Sequence, residues 1–228
     1  MPLPKSFCPV TAVRAKRERR KDARPGELLA AALELFVEKG FAATRAEEVA
    51  KRAGVSKGTL FLYFASKEEL FKAVVRENIS GRFGAWNSEI DGYQGSSTDL
   101  LRYAVNTWWE RVGSTQAVGI SKLMMSEAGN FPELAAFYQL EVIDPGVRLI
   151  QRVLQRGIDS GEFRPLDLHY GAYTVLGPMM FLAIASPAVS GCLSGGDMTL
   201  DPKTYLQFQL DNILFGLCAR PGPALASS

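Results

Sequence analysis

Apolar side chains recur at three- and four-residue spacing along most of the chain, and this spacing predicts amphipathic helices. The first stripe lies between Pro25 and Lys39, before a predicted helix end at Gly40, and consists of Leu29, Ala32, Leu33, Phe36 and Val37. After a predicted loop at Gly92–Ser97, helical periodicity continues over about 98–112, 116–128, 132–141, 143–160, 167–188 and 202–218. No run with a two-residue period predicts a strand, so we expect an all-α fold.

The most specific pattern is a pair of short helices around a tight turn, within residues 44–71. One face of the first helix carries Ala46, Val49, Ala50 and Ala53. Gly54 follows at a place that favours positive φ, and Ser56 is a good N-cap for the helix Lys57–Phe64. The second helix turns Leu60 and Phe64 inward and leaves Lys57, Thr59 and Tyr63 outside. The pattern predicts a helix-turn-helix, whose second helix can enter the major groove of DNA.

Two capping boxes predict helix starts on either side of the turn. Thr44-Arg45-Ala46-Glu47 would open the helix before the turn, and Ser66-Lys67-Glu68-Glu69 would open a long fourth helix. The apolar positions of that fourth helix are Leu70, Phe71, Val74 and Val75, and its later part is weakened by Gly81 and Gly84.

The string Gly54-Val55-Ser56-Lys57-Gly58 also matches the nucleophile elbow of hydrolases. That elbow follows a buried strand and needs a histidine base, whereas an alanine-rich helix precedes this string and His169 is the one histidine of the chain. We therefore do not expect an enzyme. The three cysteines, Cys8, Cys192 and Cys218, lie far apart and form no C-x-x-C pair, so we expect no metal site and no cofactor.

Charge is unevenly distributed, although the net charge of the 228 residues is only +2. Residues 1–80 carry 16 Lys and Arg against 10 Asp and Glu, and residues 81–228 carry 10 against 14. A basic front suits a nucleic-acid-binding module joined to a different domain. The densest basic run lies within residues 1–22 and consists of Arg14, Lys16, Arg17, Arg19, Arg20 and Lys21. It is either a solvated tail or an arm that tracks phosphates or enters a minor groove.

Residues Tyr170–Gly196 contain no charged side chain. A membrane span is one interpretation, but Gly177, Pro178 and Pro187 interrupt the stretch. Burial between two subunits explains a helix that is apolar all round equally well, so we favour a subunit interface and expect no membrane partner. The unpaired cysteines and the lack of a secretory signal favour a cytoplasmic location.

The segment from about Leu28 to Val75 resembles the DNA-binding domain of TetR-family transcriptional regulators. The residues that carry the resemblance are Ala31-Ala32-Leu33-Glu34-Leu35-Phe36, Lys39-Gly40-Phe41, Ala53-Gly54-Val55-Ser56-Lys57-Gly58-Thr59-Leu60, Tyr63-Phe64 and Lys67-Glu68-Glu69-Leu70. The stretches Phe131-Pro132-Glu133-Leu134 and Gly161-Glu162-Phe163-Arg164 are more loosely similar to the C-terminal domains of the AcrR-like branch.

This resemblance implies an all-helical homodimer with an N-terminal three-helix DNA-binding domain and a C-terminal helical ligand-binding and dimerisation domain. The expected parts are a flexible basic arm at 1–22, the DNA-binding domain at 23–70, the effector-binding and dimerisation domain at 71–220 and a disordered tail at 221–228. Helices near 167–188 and 202–218 of both subunits would form a four-helix interface. The candidate interface residues are Leu176, Met180, Ile184, Tyr205, Phe208, Asn212 and Phe215.

For DNA, we expect Lys57 and Thr59 to face the groove. Ser56 and Gly58 are also expected at the DNA, where Gly58 lets the backbone come close or simply serves the turn. The residues expected to position on phosphates are Arg45, Tyr63 and Lys67. Two positions depart from the family pattern. Phe61 replaces a tyrosine, so we expect it to pack, and Arg45 stands where the family has Thr or Ser, so either Arg45 contacts a phosphate or Thr44 takes over the cap. Either change could alter operator preference.

Aromatic and methionine side chains concentrate in the C-terminal part and predict an adaptable apolar effector pocket. The candidates are Trp86, Trp108, Trp109, Met124, Met125, Phe131, Phe137, Tyr138, Tyr173, Met179 and Phe181, with Glu127, Glu141 and His169 as nearby ionisable groups. We expect a ligand-responsive homodimeric repressor that a small hydrophobic or amphipathic effector releases from a near-palindromic double-stranded DNA operator. A transcriptional activator of the same fold and a helical enzyme are the alternatives.

Overall fold

The computed structural model describes residues 25–185 and 200–218, and within these ranges the regular elements are helices. One isolated bridge joins Phe163 and Cys218. The predicted all-α class is therefore confirmed. The predicted basic arm, the loop around Gly191–Gly196 and the predicted tail at 221–228 lie outside the described residues.

The chain divides into two compact units, Met1–Val74 and Val75–Ser228. The described part of the first unit contains α1 (25–39), α2 (Ala46–Arg52), α3 (Lys57–Tyr63) and the beginning of α4 (Lys67–Asn78). The division falls four residues after the predicted domain limit at residue 70, within α4.

The core of the first unit is built around three phenylalanine rings. Phe36, Phe41 and Phe71 have ring centroids 5.4–5.6 Å apart, and all three are fully buried. They join α1, the turn after it and α4. Gly40 follows α1 and Gly54 follows α2, with φ of 85° and 68°. Residues with a Cβ rarely adopt this backbone conformation.

Thr44 has a different role from the one predicted. Arg45, not Thr44, is the N-cap of α2, and the Arg45 N–H donates to Glu48 Oε2 at 3.3 Å. Thr44 is buried, and its Oγ1 donates to the carbonyl oxygens of Leu35 at 3.1 Å and Gly40 at 2.8 Å. The predicted box at 44–47 is therefore wrong by one position, because the Thr44 hydroxyl satisfies carbonyls at the end of α1 instead of amides at the start of α2.

Lys67, which was predicted to contact a phosphate, has hydrogen-bond partners within the first unit. Its ammonium donates to the carbonyl oxygens of Phe41 at 2.9 Å, Ala42 at 3.3 Å and Thr44 at 3.1 Å. Nζ lies 4.4 Å from the centroid of the Phe41 ring. An ammonium has three protons, so these carbonyls match its full donor capacity. Lys67 thus braces the turn between α1 and α2, and its contact with a DNA phosphate stays a prediction.

The second unit begins where the predicted long fourth helix breaks. α4 ends at Asn78, and a 3₁₀ turn (Ser80–Arg82) leads into a separate helix, α5 (Phe83–Asp91). A Cβ at Gly81 would lie 2.6 Å from the carbonyl oxygen of Arg76, so this close chain reversal requires glycine. The sequence indicated that Gly81 and Gly84 weaken the later part of a long fourth helix, and the structure shows that the helix breaks there.

Six further helices complete the described part of the second unit: α6 (Ser97–Trp108), α7 (Val118–Glu127), α8 (Pro132–Tyr138), α9 (Asp144–Asp159), α10 (Leu168–Ile184) and α11 (Pro202–Leu217). Wide π-helical turns follow α6 at Trp109–Gly113 and α8 at Gln139–Ile143. The second of these turns joins α8 to α9 without an intervening loop.

Helix α9 is the centre of the second unit. It packs against α5, α6 and α10, and Val153 and Leu154 are fully buried. Gly157 lets the Phe163 ring approach its backbone, since a Cβ there would lie 2.1 Å from Phe163 Cδ2. The helices around α9 therefore have fixed positions from which to form a binding site.

We predict that Lys67→Met will loosen the turn between α1 and α2 even without DNA. The substitution keeps the aliphatic stem but removes a charged donor, and each hydrogen bond to a charged group contributes about 1.5–3 kcal/mol. Amide hydrogen exchange over residues 40–48 should accelerate by about tenfold or more. Lys72→Met is the matched control on the same helix, because its bond to Glu69 is a surface ion pair. Unchanged exchange together with weaker DNA binding would assign the Lys67 ammonium to phosphate instead.

Candidate functional site

The start of α3 is held by a short hydrogen-bonded cap. Ser56 Oγ accepts from the Thr59 N–H at 3.1 Å, as predicted for an N-cap, and the two hydroxyl oxygens lie 2.9 Å apart. Leu60 is fully buried beneath the helix, whereas Ser56, Lys57 and Gly58 are exposed. The cap therefore fixes the direction of a helix whose first turn faces outward.

Lys57 and Arg45 lie on the exposed surface beside this helix. Lys57 forms an ion pair with Glu47 of α2, and the Lys57 ammonium lowers the pKa of the Glu47 carboxyl through a hydrogen bond. Tyr63, in the last turn of α3, is half-buried. The contacts with DNA remain predictions for Arg45, Ser56, Lys57, Gly58, Thr59, Tyr63 and Lys67.

Two exposed apolar side chains on α3 were not predicted as functional. Leu62 is 84% exposed, and Phe61, which was expected to pack, is 40% exposed with the Lys57 ammonium 5.8 Å from its ring centroid. Leu62 lies midway between the inward Leu60 and Phe64, at about 200° around the helix from each. This spacing was the signal that could have placed Leu62 on the outward face.

The described part of the first unit has no net charge. Residues 25–74 contain seven Lys and Arg and seven Asp and Glu. Ion pairs such as Arg52 with Glu34 and Glu38, and Lys39 with Glu48, use several of these groups internally. The basic excess of the front of the chain therefore lies in residues 1–24.

The second unit contains a partly open apolar cavity of about 220 Å³, called the main cavity below. Its walls come from Ile79, which follows α4, from α5 to α10 and from both wide turns. Trp86, Val112, Val142 and Ile150 are among the lining residues. A neighbouring side cavity of about 200 Å³ lies along α7, α8 and α10. Both are suited to apolar ligands.

The predicted pocket residues separate into three groups. Trp86, Trp108, Tyr138, Tyr173 and Met179 line the main cavity, and Tyr138 also lines the side cavity with Met124 and Met125. Four predicted residues line neither of these two cavities: Trp109, Phe131, Phe137 and Phe181. Trp109 borders an outer groove beside α11, Phe137 stacks on the Arg76 guanidinium at 5.0 Å, and Phe181 packs its ring on Tyr205 at 5.3 Å.

The carboxylate among the main-cavity residues is Glu89, which was not among the predicted candidates. Glu89 accepts from Tyr103 Oη at 2.9 Å and from Arg111 Nη1 at 3.0 Å, and the Arg111 hydrogen bond lowers the pKa of its carboxyl. Glu89 follows Trp86 by three residues, so the two side chains share a face of α5. That relation became visible only once α5 was a separate helix.

The predicted ionisable candidates lie elsewhere. His169 is exposed and packs on Tyr170 and Tyr173, and Glu127 lines neither cavity. Glu141 binds Arg76 of α4, with Arg76 Nη2 2.7 Å from Oε1, and this hydrogen bond lowers the pKa of the Glu141 carboxyl. Ser80 Oγ also donates to Glu141 at 3.2 Å. Glu141 thus ties the end of α4 to the wide turn that carries the cavity residues Val142 and Ile143.

Helices α10 and α11 leave large apolar side chains exposed. The exposed set includes Tyr170, Tyr173, Phe181, Ile184, Phe208 and Phe215, of which Phe208 is 64% and Phe215 75% exposed. Among the predicted interface residues, Leu176 and Met180 are half-buried and also line the main cavity, and the interface itself stays a prediction. None of the described helices combines the length and apolarity that a membrane crossing requires.

Comparison with known proteins matches both units to one group. Residues 28–74 match the sequence model described as bacterial regulatory proteins, tetR family, and residues 99–188 match that of the AefR-like transcriptional repressor, C-terminal domain. The chain is 30% identical over 198 residues to the HTH-type transcriptional repressor KstR2 of Rhodococcus jostii, covering 85% of this chain and 92% of that protein.

Two other similarities concern one unit or the fold. The HTH-type transcriptional activator FasR of Mycolicibacterium smegmatis is 48% identical over 59 residues, which is 26% of this chain and 27% of that protein. The solved structure of the transcriptional regulator FadR from Bacillus subtilis, in complex with stearoyl-CoA, superposes with a TM-score of 0.65 at 18% identity. That superposition covers 83% of this chain and 97% of FadR and concerns the fold alone.

Proposed function

Because this chain belongs to the tetR family of bacterial regulatory proteins, we propose that it is a homodimeric repressor that a hydrophobic or amphipathic effector releases from a near-palindromic DNA operator. The observation that carries the proposal is the presence of the apolar main cavity and a helix-turn-helix in one chain. The FadR neighbour binds stearoyl-CoA, an amphipathic molecule, and this supports the same class of effector here.

We assign DNA contacts to the outward side of α3 and the start of α2. Lys57, Thr59 and Leu62 would face the major groove, where an exposed leucine can contact a thymine methyl group. Arg45 and Tyr63 would bind phosphates, which position the helix without reading sequence. Ser56 and Gly58 would keep the cap and the close backbone approach.

Much of the electrostatic attraction to DNA would come from the basic run in residues 1–24. Residues 25–74 are neutral overall, whereas binding to DNA draws its salt-dependent affinity from cations that displace counterions. This charge distribution favours a DNA-contacting arm over a merely solvating tail.

A coupling route would run from the main cavity to α4. An effector that displaces Val142 or Ile143 would move the wide turn that carries Glu141, and Glu141 binds Arg76 on α4. Because α4 is continuous from Lys67 to Asn78, its displacement would alter the position of its first turn. An effector shifts the equilibrium only by its differential affinity for the two states.

The arm is tested by replacing Arg14, Lys16, Arg17, Arg19, Arg20 and Lys21 with Gln. Since each neutralised phosphate contributes about 0.9 to the salt slope, the logarithmic slope of operator affinity should fall by about 2 or more. Replacing Arg82, Arg148 and Lys203 of the second unit is the control and should leave the slope nearly unchanged. If the salt dependence of operator affinity is unaltered in the arm variant, the basic run is a solvated tail and does not contact DNA.

The dimer is tested by Phe208→Glu combined with Phe215→Glu. Buried aromatic anchors contribute about 2 kcal/mol or more each to an interface, so the dimer dissociation constant should rise at least thirtyfold, by about 2 kcal/mol. Sedimentation equilibrium measures it. Leu140→Glu is the control, because Leu140 is 66% exposed but lies outside α10 and α11. A double variant that remains as dimeric as the parent would refute this interface.

The complete proposal is tested by transcription in vitro from a promoter that overlaps the selected operator. Compounds that quench the fluorescence of Trp86 and Trp108 should weaken operator binding about 5–150-fold, which corresponds to 1–3 kcal/mol of coupling, and should restore transcription. Ala104→Phe, which fills the main cavity, should abolish release, whereas Ala136→Phe on the exposed side of α8 should not.

The same assay separates the alternatives. The FasR match raises the possibility of activation, and an activator would raise transcription in its DNA-bound state. If no quenching compound alters operator affinity, the effector-controlled repressor is refuted.

A further inference from the structure

The two cavities of the second unit are separated by four side chains. Ser121, Tyr138, Ile143 and Met180 line both cavities and therefore stand between them. These four residues are called the dividing wall here. They come from α7, from α8 with its wide turn, and from α10.

Either cavity alone is small for an effector of the kind proposed above. An apolar protein cavity of about 150 Å³ accommodates benzene, so the main cavity would hold about nine non-hydrogen atoms. The side cavity adds about 200 Å³. A ligand that occupied both would have about seventeen non-hydrogen atoms. The size of the ligand therefore depends on whether it can extend through the dividing wall from one cavity into the other.

Part of the dividing wall is able to move. Met180 has an unbranched side chain with three rotatable bonds, and methionines of this kind re-pack around ligands. Ile143 ends the wide turn Gln139–Ile143, and single π-helical turns of this type are frequent at functional sites.

The remaining part of the dividing wall is polar. Ser121 Oγ and Tyr138 Oη lie 2.8 Å apart, and their residues are 7% and 6% exposed. Burial raises the pKa of Tyr138 to about 12, so the phenol is neutral at physiological pH. Two hydroxyls have two protons, and one hydrogen bond between them uses only one. The second proton can donate to a ligand oxygen, and the remaining lone pairs can accept from a ligand hydroxyl. Such a hydrogen bond would be favourable because a buried polar group without a partner is destabilising.

We infer that the effector spans the dividing wall: an uncharged molecule of about seventeen non-hydrogen atoms with two apolar parts and one carbonyl or hydroxyl group between them. The oxygen function binds the Ser121–Tyr138 pair, and Met180 moves aside to connect the cavities. This inference rests on the proposed effector-controlled function and adds the shape and polarity of the ligand.

Three ketone probes test this arrangement through quenching of tryptophan fluorescence. The first is a straight-chain ketone of about seventeen non-hydrogen atoms with its carbonyl at mid-chain. The second is its isomer with the carbonyl next to the chain end, and the third is a methyl ketone of about nine non-hydrogen atoms. The mid-chain ketone should bind the parent protein about tenfold more tightly than its isomer, because the isomer leaves the hydroxyl pair unmatched.

Two sets of variants test separately the hydrogen bond to the hydroxyl pair and the opening between the two cavities. Ser121→Ala with Tyr138→Phe removes both hydroxyls together, a change that is nearly neutral for stability, and should abolish the preference between the two long isomers. Met180→Ala opens the wall and should strengthen binding of both long ketones about tenfold relative to the short one. Met179→Ala is the matched control, because Met179 lines only the main cavity. It should change long and short ketones alike.

The outcomes distinguish this inference from the proposed function. The ligand assignment would be overturned if the two long isomers bound the parent protein equally, or if no ketone bound. The proposed function would still stand in that case if another compound released the protein from DNA. If the mid-chain ketone binds with the expected selectivity but leaves operator affinity unchanged, the two-cavity site is supported and the effector role is refuted.

Discussion

The first unit depends on side-chain hydrogen bonds to backbone carbonyls at the end of α1 and in the turn after it. The Thr44 hydroxyl binds those of Leu35 and Gly40, and the Lys67 ammonium binds those of Phe41, Ala42 and Thr44. The same turn is held from its apolar side, where Phe41 packs on the Phe36 and Phe71 rings. Because α2 starts directly after Thr44, the orientation of the helix-turn-helix depends on this combination of polar and apolar contacts.

Local signals in the sequence were sufficient for most of the first unit. Positive φ at Gly40 and Gly54, the Ser56 cap and the buried Leu60 all follow from rules that involve residues within one or two turns. Thr44 and Lys67 could not be assigned in this way. Their partners lie as many as 26 residues away, so their roles depend on tertiary contacts.

The residues that line the main cavity were harder to predict from the sequence than the presence of a cavity. Trp108 and Trp109 are neighbours in sequence, yet the first lines the main cavity and the second borders an outer groove. Composition indicates that a segment is rich in aromatic groups, but the side that faces a cavity depends on helix packing. Leu176 and Met180 illustrate the same limit, since both were predicted only from an apolar stripe and both also line the main cavity.

The wide turn Gln139–Ile143 has a further consequence for the chain that follows it. α8, this turn and α9 form one uninterrupted helical segment from residue 132 to residue 159. A π-helical turn contains one residue more than an α-helical turn, and each residue of an α-helix advances by about 100°. The extra residue therefore sets the rotational phase of α9 relative to α8. Loss of one residue here would turn Val153 and Leu154 out of the core even though no buried side chain had been replaced, so at this point the fold constrains the number of residues as strictly as their chemistry.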